Sequence, residues 1–320
     1  MEIIKINEKS NYQFNESATV PSAVALGMFD GVHIGHAAVI QRAINAAKEK
    51  KIASIVWTLR DAPRKNGIKL CSTKDKIEYI AGTLKPDFIA VEDFSNIYSL
   101  SPEQFVQNIL VKSLGCKIAV CGYNFRFGHN GAGDSLMLES CMKLFGGWAV
   151  TVGEVKANGE AVSSSLIRKK LETGDVANAA IMLGRPFSIA GTVISGRGLG
   201  GKIGIPTINL SLPDGLFAPA HGVYITRTYV CGEEYKSVSN IGVRPTVETS
   251  TEAKVTLETH IIDCGKDTNL YGCHAEIKFI SYRRPETKFP SVDALVKAIR
   301  ADIEAAGGAG RRGYEDAQTF

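Results

Sequence analysis

"GMFDGVHIGH", residues 27–36, is the stretch whose reading decides the fold of the first half of the chain. The run that leads into it, "SAVALGMF" (22–29), is short and continuously apolar, as a buried strand would be. The run that leaves it, "HAAVIQRAINAAKEKK", carries Val39, Ile40, Ala43, Ile44 and Ala47 at helical spacing. Lys48, Lys50 and Lys51 gather at its far end, where a helix dipole favours positive charge. A second apolar run, "IASIVWTL" (52–59), follows at once. Strand, glycine-rich turn, helix and strand make a βαβ unit, which predicts a parallel sheet.

The turn also holds His33 and His36 among Gly27, Gly31 and Gly35. The pair could ligate a metal or grip phosphates. Paired zinc-binding histidines on a helix usually stand four apart with a glutamate between them, and further ligands are needed. Here the spacing is three, with no intervening Glu and no Cys/His cluster nearby. Glycines that bare backbone N–H groups at a helix N-terminus favour an anion. Imidazoles there can donate to phosphate oxygens as charge develops. The plainer alternative is that one His caps the helix and the other packs.

Working outward, "FIAVEDF" (88–94) and "KIAVCGYNF" (117–125) read as further strands. "SPEQFVQNILVKSL" (101–114) reads as a helix capped by Ser101, with Glu103 in its first turn. After "MLGRP" (182–186) the grammar changes. "GVYITRTYV" (222–230), "YKSVSNIG" (235–242), "AKVTLETHII" (253–262) and "CHAEIKFISY" (273–282) alternate or run β-branched between Gly, Asn and Asp. That predicts an antiparallel sheet or small barrel. A final helix follows Ser291, with Val292, Leu295, Val296, Ile299 and Ile303 on one face. The expected domains are therefore 1–184 and 185–306, with a Gly-rich tail at 307–320 expected to be flexible.

Bulk composition is that of a globular chain: 320 residues, 44% hydrophobic and 22% charged, enough apolar material for a core in each half. Net charge is +4 without a Lys/Arg run, which does not imply a nucleic-acid partner. Seven cysteines, none spaced CxxC, argue against a disulfide framework or zinc ribbon and for a reducing compartment. The polar N-terminus lacks a signal-peptide core, and no apolar run reaches membrane-spanning length. The expectation is a cytoplasmic protein with no membrane partner; a homo-oligomer stays open.

Three more stretches carry chemistry. In "VSSSLIRKKLETGD", Ser163, Ser164 and Ser165 begin a helical pattern, and Arg168 follows within a turn. They form either an anion-binding helix start or an ordinary cap with a surface arginine. "GYNFRFGHNGAGD" sets Asn124 beyond a strand end with Phe125 and Phe127, a polar reader beside aromatic walls; one phenylalanine is expected in the core and His129 in a loop. "GRGLGGKIGIPTINL" (196–210) matches GxGxxG and GxxxxGK, but Ile203 stands where a P-loop needs Ser or Thr. Gly204 and Pro206 oppose the helix both patterns need. What survives is a phosphate-friendly loop, with Thr207 and Asn209 pointing to one side of an extended run. In "KVTLETHIID", Val255, Leu257, Thr259 and Ile261 share one face and Thr256, Glu258 and His260 the other. Glu258 has a task or a partner there; a solvated Glu paired with lysine is an equal alternative on the residues alone.

Taken in order, these motifs resemble the bacterial bifunctional riboflavin kinase/FMN adenylyltransferases. "GMFDGVHIGH" is similar to the HxGH signature of nucleotidylyltransferases, "GYNFRFG" to that family's second motif and "VSSSLIR" to its ISSTxIR. "GIPTINL" resembles the riboflavin kinase GxPTAN, and "NIGVRPTV" and "LETHIID" its later motifs. The resemblance implies a Rossmann-like α/β nucleotidylyltransferase domain followed by a small antiparallel β-barrel kinase domain with a C-terminal helix. It implies ATP and Mg²⁺, with riboflavin, FMN and FAD as substrates and products. His33, His36 and Glu258 would be catalytic, Glu258 as the base for the ribityl hydroxyl. Gly27, Phe29, Asp30, Gly31, Gly35, Asn124, Ser163, Ser164, Ser165 and Arg168 would hold nucleotide in the first module, and Gly196, Gly198, Lys202, Gly204 and Pro206 in the second. Thr207 and Asn209 would face Mg²⁺. Pro63, Asn124, Phe125, Asn240, Arg244, Thr246 and Arg284 would contact flavin. The chain departs from the family pattern at "WTLRDAPRK", where Arg60 and Asp61 are unusual and Pro63 alone survives clearly, at Gly131, and at Gly200 and Gly201, where Lys202 is the substitute for the usual basic residue. Two rivals follow: a kinase with a degenerate first module, or a flavin- or nucleotide-binding regulator without chemistry.

Overall fold

The five-residue run Ser22–Leu26 is wholly buried because it forms the middle of a parallel sheet covered on both faces. The computed structural model describes residues 1–5, 13–14, 20–60, 68–196, 199–211, 215–244, 254–264 and 269–308. Contacts divide it into two units, Met1–Ser164 and Ser165–Phe320.

In the first unit the strands are β1 (Glu2–Lys5), β2 (Gln13–Phe14), β3 (Ser22–Leu26), β4 (Ala53–Leu59), β5 (Phe88–Glu92), β6 (Cys116–Gly122) and β7 (Trp148–Val152). Their order is β2-β1-β5-β4-β3-β6-β7. The five from β5 to β7 are parallel, and β1 and β2 add an antiparallel edge. Alternate residues of β3 and β4 feed two cores. Val24, Leu26, Ile55 and Trp57 pack on one face, and Ala23, Ala25 and Val56 pack on the other with α1 (Ile34–Lys50). Further α-helices among the described residues are α2 (Thr73–Tyr79), α3 (Pro102–Gln104) and α4 (Ser135–Leu144), and β8 (Lys156–Ala157) pairs with β9 (Glu160–Ala161). The helix expected over 101–114 starts with a Ser101 capping box, but from Phe105 it widens to a π-helix running to Ser113. The chain leaves β3 toward β4 and β5, then returns to the other side at β6. That reversal opens a crevice beyond the C-terminal ends of β3 and β6.

Helix α5 (Ser164–Glu172) carries the chain from one unit into the other, and α6 (Val176–Leu183) ends at Gly184 in a left-handed cap (φ 72°). Six strands close an antiparallel barrel in the order β10-β11-β14-β13-β12-β15. They are β10 (Ser188–Ile194), β11 (Ile208–Leu210), β12 (Gly222–Val230), β13 (Glu233–Arg244), β14 (Lys254–Ile261) and β15 (His274–Arg284). The strands expected in this half are all present. A turn of helix, α7 (Leu199–Lys202), sits inside the glycine-rich stretch and stops at Gly204 (φ 75°). No longer helix follows it, as the Gly and Pro foretell.

The barrel interior mixes apolar residues such as Leu257 and Phe279 with hydroxyls. Thr228, Ser237, Thr226, Ser239 and Thr259 form one chain with every link at 2.8 Å. Each hydroxyl finds its partner in another, so burial leaves none unpaired. Helix α8 (Val292–Gly308), N-capped by Ser291, lays Ile303 and Ala306 on Val223 and Val238 of the barrel's outer face. Val292, expected on that face, is 61% exposed because it starts the helix at the mouth of a cavity. The helix runs through Gly308; the rest of the expected tail, 309–320, lies outside the described residues.

Candidate active sites

The first site is a strained loop. Between β3 and α1, three residues adopt positive φ: Phe29 (49°), Gly31 (76°) and Val32 (40°). A β-branched residue rarely accepts that conformation, so the surroundings must impose it. Phe29 and Val32 are buried, and Val32 N–H donates to the Phe29 carbonyl at 3.2 Å. Asp30, 5% exposed, accepts from the backbone N–H of Leu70, and Gly31 N–H donates to Cys71 Sγ. Ser164 at the start of α5 donates to the Asp30 carbonyl at 3.0 Å. From below, the ammonium of buried Lys76 on α2 reaches the Met28 carbonyl, the Thr58 hydroxyl and the Leu59 carbonyl at 2.8–3.1 Å.

His33 is the N-cap of α1: its Nδ1 accepts from His36 N–H at 3.2 Å. With Nδ1 accepting, a neutral His33 carries its proton on Nε2. The His33 and His36 rings stack at 3.5 Å, and Phe29 meets His36 edge-on. Gly27 and Gly35 leave room for these rings, since a Cβ on Gly27 would come 2.8 Å from Phe29 and one on Gly35 3.2 Å from His33. Thus the capping and donor readings of the histidines are compatible, one nitrogen of His33 for each.

Asn124 lies in the turn after β6, the strand beside β3, and is exposed. Phe125 and Phe127 stack at 5.6 Å; Phe127 is core and Phe125 packs against that core. His129 sits in a short turn, its Nδ1 2.9 Å from the Tyr98 carbonyl. Ser163 and Ser165 flank Ser164, and Arg168 stands one turn further along α5, on the same face as Ser164. Pro63 lies outside the described residues. The unusual Arg60 is clamped by Asp93 and Glu2, which ties the end of β4 to the antiparallel edge of the sheet.

The second site is a row across strands. Asn209 on β11 is opposite Glu258 on β14, Glu258 opposite Asn240 on β13, Asn240 opposite Val223 on β12, and Val223 opposite Arg284 on β15. Directly opposed residues share a face, so five strands present one line of side chains outward. Glu258, Asn240, Val223 and Arg284 line a cavity of about 660 Å³ beside α8, together with Thr207, His260, Glu286, Phe289 and Leu295. That is the size of pocket that holds a flat heteroaromatic ligand. Asn209 is 7% exposed, and a Cβ on Gly196 would approach its Nδ2 to 2.2 Å, so bare glycine makes room there. Gly200 likewise faces the Ile205 carbonyl and Thr207 Oγ1. His260 Nδ1 lies 2.8 Å from the Pro206 carbonyl, which holds the "GIPT" loop to the strand that carries Glu258. Arg284 is aimed by Asp302 of α8, at 2.8 Å and 3.1 Å, and Asn240 donates to Glu286 at 2.9 Å. Gly198 and Thr246 lie outside the described residues, as do the side chains of Lys202 and Arg244; Gly204 is the positive-φ stop of α7.

Two family models match, one described as FAD synthetase over residues 15–166 and one as riboflavin kinase over residues 183–308. Relatives named bifunctional riboflavin kinase/FMN adenylyltransferase match along most of their length. The Bacillus subtilis protein is 32% identical over 89% of this chain and 91% of its own, the Haemophilus influenzae protein 33% over 89% and 92%, and the Escherichia coli K12 protein 31% over 87% and 90%. This chain belongs to the bifunctional riboflavin kinase/FMN adenylyltransferase family. A Streptococcus pneumoniae crystal structure described as a macrolide-efflux protein shares the fold, with TM-score 0.80 and 27% identity over 90% of this chain and 94% of that one. In the described residues of this chain no helix is long and apolar enough to cross a membrane.

Within the bifunctional family's frame, the strained loop falls in the FAD synthetase match and the cross-strand row in the riboflavin kinase match. Several residues of both sites escaped sequence reasoning. Lys76 looks like any helix lysine until its burial is known. Asp302 and Glu286 act on row residues from distant segments. His260 shares the Glu258 face by alternation, but its partner, the Pro206 carbonyl, is 54 residues away in sequence.

Proposed function

We propose that the barrel unit phosphorylates riboflavin with MgATP to FMN, and that the α/β unit adenylylates FMN with a second ATP, giving FAD and pyrophosphate. The single observation that carries the first step is the placement of Glu258. It stands second in the row, at the wall of the cavity, between the amide side chains of Asn209 and Asn240. Glu258 takes the proton of the ribityl hydroxyl as its oxygen attacks the γ-phosphorus, and ADP leaves. Thr207 and Asn209 supply the hard oxygens that would hold Mg²⁺, whose charge offsets that of the phosphates. Gly196 and Gly200, with no room for side chains, suit a backbone that approaches phosphate closely. Gly198, Lys202, Gly204 and Pro206 belong to the same phosphate loop. Asn240, Arg244, Thr246 and Arg284 complete the flavin contacts.

In the α/β unit an FMN phosphate oxygen attacks the α-phosphorus of ATP and pyrophosphate leaves; no covalent enzyme intermediate is needed. His33 Nε2–H and His36 donate to the phosphates at the N-terminus of α1. The strained backbone at Phe29–Val32 supports this reading, because strain persists where pre-organised N–H groups are used. Asn124 and Phe125 meet nucleotide and flavin, and Ser163, Ser164, Ser165 and Arg168 hold the leaving pyrophosphate. We divide the two activities at residues 184 and 185 and read both as cytoplasmic chemistry on small molecules, without a nucleic-acid partner.

The test is a product time course with purified protein, riboflavin, ATP and Mg²⁺, the flavins separated by chromatography. FMN followed by FAD is expected. FMN that never becomes FAD would sink the adenylyltransferase assignment, and bound flavin with no product would sink both.

A further inference from the structure

The turn between β12 and β13 breaks a local rule. Val230 pairs with Glu233, which leaves Cys231 and Gly232 as a two-residue hairpin loop. Their φ angles are 51° and 87°. Two positive values in a two-residue loop follow the type I′ pattern, whose first position favours Asn, Asp or Gly. A cysteine there is strained, and its side chain is exposed although cysteine is among the most buried residue types. The strained position aims the thiol at a second one: Cys231 donates its S–H to Cys273 Sγ at 3.3 Å. Cys273, half-buried, is anchored by its backbone, since its carbonyl accepts from Val193 N–H at 2.9 Å. The hydrogen bond with Cys273 holds the Cys231 thiol above its ordinary value, yet Cys231 stays open to solvent, whereas burial pushes the Cys116 thiol up to about 12 and the Cys121 thiol up to about 11 and closes both to reagents.

We propose that Cys231 and Cys273 are a modification site, a dithiol that closes reversibly to a disulfide by exchange with a small-molecule disulfide such as oxidised glutathione. One protein thiol loses its proton to water and attacks the external S–S bond, which breaks and releases one small thiolate that takes up a proton. The second protein sulfur, likewise deprotonated, attacks the mixed disulfide. The Cys231–Cys273 bond forms and the second small thiol leaves. Two electrons and two protons pass from protein to external disulfide, so the step balances as one disulfide lost and one gained. The sulfurs need only close from contact to about 2.0 Å, which rotation of an exposed turn side chain can supply. The cross-link would join the β12–β13 turn to the residue bonded to Val193. Ile194, next along β10, is the register partner of Asn209, so Cys273 is bonded to the strand that pairs with the one carrying that asparagine. Cys264 is near enough to act on Cys231 electrostatically and is the competitor to separate.

The experiment equilibrates the full chain anaerobically in glutathione buffers from fully reduced to fully oxidised, quenches with an alkylating agent, and reads intact mass and a peptide map. Expected are a loss of about 2 Da, two thiols protected of the seven in the chain, a Cys231–Cys273 peptide, and full reversal by excess reduced glutathione. Cys231→Asn installs a residue the turn favours, so it is expected to fold and to lose the protection; Cys264→Ser is expected to keep it. A Cys231–Cys264 peptide, a stable glutathione adduct, a disulfide between two chains, or seven alkylated thiols at the most oxidising ratio would each overturn the proposal.

Discussion

The two candidate sites are built by opposite means. The one at the end of β3 is contiguous: ten residues supply its loop, its glycines, its cap and both histidines. The one on the barrel is dispersed: Asn209, Glu258, Asn240, Val223 and Arg284 come from five strands over 76 positions of chain, aligned only by register. A local site survives shifts elsewhere because its geometry is set by the backbone that carries it. A row site depends on every ladder between its ends, and a slip of one residue would turn Glu258 into the barrel and Thr259 out of it. The contiguous site carries its cost as local strain at Phe29 and Val32. The dispersed one depends on the buried hydroxyl chain and the helix that lies over it.

The sharpest way to break this comparison is to remove one member of the row while leaving its frame. Glu258→Gln keeps shape and hydrogen bonding but cannot take a proton. FMN formation is expected to fall by about 10²–10⁴-fold, while FAD formation from supplied FMN is unchanged. Assays of the two half-reactions on the same preparation check it. A loss in both would mean that the sites are coupled and the contrast false.

The reciprocal cut is in the loop. His36→Ala is expected to lower FAD formation by about 10²–10³-fold with FMN formation intact. His33 has two jobs, and they separate. Asn is a good N-cap, so His33→Asn should keep thermal stability within about 0.5 kcal/mol yet lose activity, whereas His33→Ala should lose the cap as well, about 1 kcal/mol. Equal unfolding free energies for the Asn and Ala variants would show that the ring does not cap α1.

This contrast also explains what was legible in the sequence. The βαβ unit, the barrel strands, the cap at Ser101 and the helix after Ser291 follow from periodicity and end signals, which are local. The loop site is legible for the same reason. On the barrel, Glu258 stands out as a lone carboxylate with alternating neighbours, but its opposition to Asn209 and Asn240 is a fact of register, and no pattern within one strand states it. The π-helical widening at Phe105 has no end signal of its own: the Ser101 cap and the apolar residues after it announce a helix but not its hydrogen-bond step. Arg60, an odd residue by motif comparison, is explained by carboxylates 33 positions ahead and 58 behind.

A smaller effect probes what supports the loop from behind. Lys76→Met leaves two carbonyls and a hydroxyl without their charged donor in a buried place. Stability of the α/β unit is expected to fall by about 1–3 kcal/mol, and FAD formation by about tenfold as the Met28 carbonyl relaxes. Denaturant unfolding followed by half-reaction assays reads both. Undiminished FAD formation in a destabilised protein would mean that the strained backbone is held by Asp30 and Ser164 alone.

The smallest effect tests how far the row reaches. Asp302 is 3% exposed on α8 and aims the guanidinium of Arg284, the last member, with Arg283 a further 3.5 Å partner. Asp302→Asn keeps an acceptor but removes its charge, at a cost of about 1 kcal/mol because Arg284 remains partly exposed to water. Arg284 sits at the cavity wall, four strands along the row from Asn209, and in the proposed reading it holds the flavin rather than the transferring phosphoryl. The expected signature is therefore a rise of about fivefold in KM for riboflavin with kcat unchanged, the reverse of Glu258→Gln. A fall in kcat at constant KM would instead extend the chemistry to the far end of the row, and the line of side chains would then act as one unit rather than as a reacting end and a binding end.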